Sequence, residues 1–91
     1  MNKITQNTKN IISESLCISN DFNVNDTLII DLDADDLDFV DIVSELEGEF
    51  KIKISDDLFF KKDIKTNELI PDCNLTTSNI INYITNELTK A

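Results

Sequence analysis

Residues 31–50 read DLDADDLDFVDIVSELEGEF. Apolar side chains recur through this stretch at Leu37, Val40, Val43, Leu46 and Phe50, in steps of three and four, which is the spacing of one face of an α-helix. An Asp at 35 or 36 is placed to cap that helix, because its carboxylate accepts hydrogen bonds from the unpaired amides of the first turn. Asp36, Asp38 and Asp41 then sit near the positive end of the helix dipole, which favours them. The helix is expected to end near Phe50.

Working outward, residues 2–16 carry Ile4, Thr8, Ile11, Ile12, Ser15 and Leu16 at helical spacing. Residues 17–32 are rich in Asn and Asp with scattered apolar positions, and read as a long ordered loop whose apolar residues reach the core. After the central helix, Lys51-Ile52-Lys53-Ile54 alternates like a strand without a partner and is read as an extended connector. Ser55 opens a short helix through Leu58, Phe59 and Phe60. Residues 61–74 read as irregular, with room for one more helical turn. Thr76 or Thr77 caps a last helix, with Ile80, Ile81, Ile84 and Leu88 as its buried stripe and Lys90 at its negative end. The expected fold is all-α: a small four-helix bundle of three main helices and one short one, with a long loop between the first two. Residues 1–91 read as one domain.

The charge narrows the function. The 91 residues hold 18 Asp and Glu, 8 Lys and no Arg or His, for a formal net charge of −10. Twelve of those acids lie in residues 10–50, which contain no Lys, so that segment carries −12 and the remainder about +2. Such a surface disfavours nucleic acid, whose phosphates need Lys and Arg, and a polybasic membrane anchor. The absence of His excludes imidazole catalysis and His metal sites. A dense anionic patch steers basic partners; a solvated face that serves solubility is the alternative. Cys17 and Cys73 form no CxxC pair and read as reduced, buried thiols. No apolar run reaches membrane-spanning length and the start of the chain lacks a signal-peptide pattern, so a cytoplasmic, monomeric protein is expected.

Two chemical motifs fail. Counted as a calcium loop from Asp31, position 6 is Asp36 and position 12 is Ile42, where Gly and a bidentate Glu are needed. Carboxylates are plentiful, yet nothing marks an apolar pocket that would separate their pKa values for acid–base work. No metal site and no enzymatic activity is expected.

The same 20 residues closely resemble the acyl carrier proteins. That family's motif reads Asp-Ser-Leu-Asp, usually after Leu-Gly-Ala, and opens an acidic helix ending Leu-Glu-x-x-Phe. The matching positions are Leu32, Ala34, Asp35, Leu37, Asp38, Val40, Leu46, Glu47 and Phe50. Ile11-Ile12 through Leu16-Cys17-Ile18, Ile52-Lys53-Ile54, and Thr76-Thr77 with Ile81, Tyr83 and Ile84 extend the likeness over nearly the whole chain. The resemblance implies a partner face made of Asp35, Leu37, Asp38, Phe39, Val40, Asp41, Glu45 and Glu47, docking on basic surfaces of acyl-chain (fatty acid or related) biosynthetic enzymes. Phe39 has two readings, an aromatic anchor for a partner or an inward core residue.

Two positions depart from the family pattern. Asp36 stands where the family has the Ser whose hydroxyl takes 4′-phosphopantetheine, so no prosthetic group and no acyl chain is expected. A carboxylate attacks the coenzyme's phosphate poorly and would give a labile mixed anhydride. Asp33 replaces the usual Gly. A working carrier whose Ser was replaced by engineering, and a non-carrier regulatory interaction module, are the alternatives.

Overall fold

The structure, a computed structural model, describes residues 3–90. Its elements run α1 Lys3–Leu16, α2 Asp36–Phe50, α3 Asp56–Phe59, β1 Phe60–Lys62, β2 Leu69–Pro71 and α4 Thr77–Thr89. Three long helices and one short one form the expected bundle, with α1 packed against both α2 and α4. The predicted first residue of α1, Asn2, lies outside the described residues.

The caps of α2 and α4 form by the same chemistry. The Asp38 N–H donates to Asp35 Oδ1 (2.9 Å) and the Asp35 N–H donates back to Asp38 Oδ2 (3.1 Å), a reciprocal capping box. Thr76 and Asn79 repeat the exchange at α4 (3.2 and 3.0 Å). Ser55 caps α3 by accepting from the Asp57 N–H. At the far end of α4, Lys90 pairs with Glu87 at 2.7 Å, and this contact raises the lysine's pKa.

The core is made of Ile12, Leu28, Phe39, Ile42, Leu46, Phe59, Ile80 and Ile84, all fully buried. Within it, the Phe39 ring meets Phe59 edge-on at 5.3 Å and Phe60 at 5.9 Å, a favoured aromatic geometry. This contact rotates α2 away from the stripe expected from sequence. The buried positions are Phe39, Ile42 and Leu46, with Val43 and Phe50 half-buried, while Leu37 and Val40 are 71% and 57% exposed. Leu88, expected in the stripe of α4, is likewise largely exposed.

The long loop is ordered as expected. Phe22, Leu28 and Ala34 plug into the core, and Lys9 on α1 lies over the Phe22 ring at 5.0 Å. Backbone bonds tie the loop to the start of α4: Leu28 N–H to Leu75 O (3.0 Å), Ser78 N–H to Val24 O (2.9 Å), and a bridge pairing Thr27 with Thr76. Asp33 adopts φ +65°, the left-handed region, and its N–H donates to Ile29 O. The connector after α2 opens with Lys51 in the left-handed region (φ 55°), where the sequence pattern predicts an extended run from Lys51 on, and its later residues are clamped on both sides. The Ile54 N–H donates to Glu47 Oε2 (2.8 Å), and the Tyr83 hydroxyl donates to Lys53 O while accepting from the Ser55 N–H.

Two expectations need correction. Residues 61–74 are not simply irregular: β1 and β2 pair antiparallel, with Phe60 opposite Pro71, Lys61 opposite Ile70 and Lys62 opposite Leu69. Phe60 leaves the short helix in an extended conformation to begin β1. Cys17 and Cys73 are exposed, not buried. Cys17 closes α1 in the left-handed region (φ 58°), and Cys73 lies in the turn before α4, so neither side chain is delivered to the core.

The rotation of α2 has a direct readout. Phe39→Ala should lower unfolding free energy by about 3–5 kcal/mol, while Leu37→Ala should change it by less than about 0.5 kcal/mol, both measured by urea denaturation. Asp33→Gly relieves a left-handed residue at a site open to solvent and should raise stability by about 0.5–1 kcal/mol.

Candidate docking face

α2 presents its acids along one side. Asp41, Glu45 and Glu49 follow one another at four-residue spacing, all exposed, so they stack as a single anionic row. Asp41 and Glu45, with Glu14 of α1, line an open groove of about 290 Å³ between α1 and α2 together with Ile11, Ser15 and Ser44; Glu49 lines an adjoining one with Asn7 and Asn10. Asn7 Nδ2 donates to Glu49 Oε2 at 3.3 Å, and among the described residues no cation pairs with Asp41 or Glu45. Beside the row stand the exposed Leu37 and Val40.

The residues singled out from sequence divide into three groups. Asp36, Leu37, Val40, Asp41 and Glu45 are exposed and share the α2 surface. Asp35 and Asp38 are exposed and half-buried respectively, and each uses one carboxylate oxygen in the cap. Phe39 and Glu47 are turned to structural work. Phe39 is fully buried against Phe59 and Phe60, which corrects its assignment to a partner face. Glu47 is half-buried and holds the Ile54 amide. Glu14 and Glu49 were not singled out, although the spacing of Asp41, Glu45 and Glu49 was readable from the chain.

The start of α2 has a definite chemical character. Asp36 is its first helical residue and is exposed, with Oδ1 accepting the Leu37 N–H at 3.0 Å. Residues 28–43 contain no Ser or Thr. The hydroxyls that flank this stretch are Thr27, which hydrogen-bonds Asp31, and Ser44, eight residues beyond Asp36 and about 12 Å along the helix axis. Among the described residues no group of three or more acids or thiols is arranged to hold a metal ion, and no described helix is long and apolar enough to cross a membrane.

This row is kept at a cost to the helix. Like charges four residues apart are mutually unfavourable, and acids in the last turns oppose the dipole. The last turn of α2 carries no basic residue. Glu45→Lys converts two repulsive pairs into two attractive ones and should therefore stabilise the fold by about 0.5–1 kcal/mol, seen as a higher urea midpoint with an unchanged slope.

Comparison with known proteins places these features in a family. Residues 8–66 match the family described as "Phosphopantetheine attachment site". Acyl carrier proteins of Buchnera aphidicola subsp. Acyrthosiphon pisum, from strains Tuc7 and 5A, are each 45% identical to this chain over 58 residues, covering 63% of this chain and 72% of the relative. Members of this family are carrier proteins rather than enzymes. The matched segment includes the capped acidic helix, the loop that precedes it and the connector that follows, and with the helical bundle described above it shows that the chain belongs to the acyl carrier protein family.

Proposed function

We propose that this protein docks on acyl-chain biosynthetic enzymes through α2 but carries no 4′-phosphopantetheine and no acyl chain. The docking half is supported by the unpaired row of Asp41 and Glu45 with Asp36, set around the exposed Leu37 and Val40. A rim of carboxylates steers a Lys- or Arg-rich surface and fixes its orientation, and the two aliphatic side chains supply the apolar contact. The other half of the proposal rests on one observation: the exposed side chain at the start of α2 is a carboxylate, Asp36, in a stretch with no hydroxyl.

The family's group is held by a phosphodiester to an alcohol oxygen. The residues at the start of α2 do not fit it, because Asp36 offers no such oxygen and Ser44 sits in the α1–α2 groove, away from the cap. Asp36 is also well placed as a helix-opening residue, so folding exerts no pressure to restore Ser. The left-handed Asp33 is a second position where the chain departs from the family's usual residue, which favours natural divergence over a single engineered change. The protein acts in the cytoplasm, where its enzyme partners work.

Incubation with coenzyme A and a phosphopantetheinyl transferase should leave the intact mass unchanged, while Asp36→Ser should gain one phosphopantetheine. Loading of the unsubstituted protein would overturn the non-carrier reading. Asp41→Lys should weaken binding to a carrier-dependent bacterial acyl-chain enzyme by about tenfold or more; equal affinity would overturn the docking reading.

A further inference from the structure

Asp36 carries a negative charge that the cap of α2 does not use. That cap is complete without it, because Asp35 and Asp38 satisfy each other's backbone N–H groups. The helix dipole favours an acid in the first turn, and Asp38 already supplies one. Asp36 Oδ1 accepts only the adjoining Leu37 N–H, at 3.0 Å. Among the described residues the ion pairs are Lys61 with Asp72 and Lys90 with Glu87, and no Lys lies between residues 10 and 50. The carboxylate is therefore exposed and unneutralised.

Its neighbours place it on the docking face. Asp36 and Val40 stand about one turn apart on α2, as do Leu37 and Asp41. All four are exposed, so they form one continuous patch with Asp36 at its N-terminal end. Phe39 points the other way, into the core. The anionic row continues from Asp41 to Glu45 one turn further on. A basic enzyme surface laid on this patch meets Asp36 at the spot from which the arm of a loaded carrier leaves.

A loaded carrier has a charge at that spot too. In the family the arm joins the serine oxygen through a phosphodiester, which bears a single negative charge at neutral pH. Its phosphorus stands two bonds from the serine Cβ, and the carboxylate oxygens of Asp36 stand two bonds from their own Cβ. An unloaded serine bears no charge. We infer that Asp36 stands in for the anionic link of a loaded carrier, so that this chain occupies the arm-entry sites of acyl-chain enzymes in competition with loaded carriers and blocks them. This role rests on the docking reading of α2 and adds a residue and a consequence to it.

The groups that meet Asp36 are Lys or Arg side chains at the mouth of the enzyme site, since a cation placed for a phosphodiester also pairs with a carboxylate. Nothing passes beyond the mouth, because the chain has no arm to insert. The apparent KM of the enzyme for a loaded carrier therefore rises while kcat is unchanged. The arm of a loaded carrier adds contacts inside the enzyme, so this chain is the weaker binder and inhibits when it is in excess.

The test pairs calorimetric binding to a carrier-dependent bacterial acyltransferase with inhibition of its turnover of a loaded bacterial acyl carrier protein. Asp36→Asn removes the charge and keeps the shape. Asp33→Asn removes the same charge from an exposed position outside α2, with a residue that tolerates the left-handed backbone there. Both should retain the helical circular dichroism of the parent. The parent should inhibit competitively against the loaded carrier. Asp36→Asn, and Asp36→Ser left unloaded, should weaken binding and inhibition by about three- to tenfold, and Asp33→Asn by less than about twofold. Equal effects at 36 and 33, or inhibition that is not competitive, would overturn the role of Asp36. If Asp36→Asn binds as the parent does while Asp41→Lys binds weakly, that role falls and the docking reading stands. A parent that does not bind at all overturns both.

Discussion

The rotation of α2 about its own axis depends on one aromatic contact, the edge-on packing of Phe39 on Phe59 and Phe60. A helix whose apolar residues cover more than half its circumference can settle in more than one orientation. With Phe39 buried, Ile42 and Leu46 follow it inward, and Leu37, Val40, Asp41 and Glu45 are left facing out. The same three rings join α2 to α3 and to the first strand, so core packing and surface chemistry are decided together. Removing the aromatic anchor would loosen the fold and also cancel the reason that the acids face solvent.

What was legible in the sequence was what local chemistry decides. Asp35, Ser55 and Thr76 were readable as caps because capping needs only a side-chain oxygen and the amides two or three residues on. The end of α2 at Phe50 followed from periodicity, whereas the left-handed turn at Lys51 left no mark in the sequence. The burial of Phe39 was legible only as one of two readings, because 37-40-43-46-50 and 39-42-46-50 both satisfy helical spacing, and only contacts with residues about 20 positions later choose between them. The hairpin was missed because its strands are three residues each and lack a two-residue turn signal; its cues, Asp63 and Asn67, are turn residues, but Asp and Asn occur throughout this chain and so do not mark it. The cysteines were misread for a similar reason, since a thiol's burial depends on where its helix happens to stop. At the site, Asp36 stood out only against the family pattern, while Glu14 joined the groove through the packing of α1 on α2.

Charge and stability pull against each other throughout. The acids at the start of α2 are free of conflict, because the dipole and the capping box welcome them. Asp41, Glu45 and Glu49 repel one another, and Glu49 alone of the three is held by a hydrogen bond, from Asn7, among the described residues. Net charge on this scale favours solubility but opposes compaction, and so the clamps by Glu47 and Tyr83 on the connector hold a helix whose own last turns are electrostatically weak. The lysines flanking this region are placed on the connector and hairpin rather than on α2 itself, which leaves the anionic row intact.

The hydrogen bond from Leu28 to Leu75 and the bridge from Thr27 to Thr76 join points 47 and 49 residues apart in the chain. Contacts of such separation form late, because a long loop must close before they contribute. During synthesis the acidic helix leaves the ribosome well before residues 75–78, which pin the loop that aims its first turn. Until residues 75–78 emerge, α2 has its cap but no fixed platform, and its acidic face is not yet aimed. The timing of maturation is thus written into a segment that lies beyond the residues matched to the family.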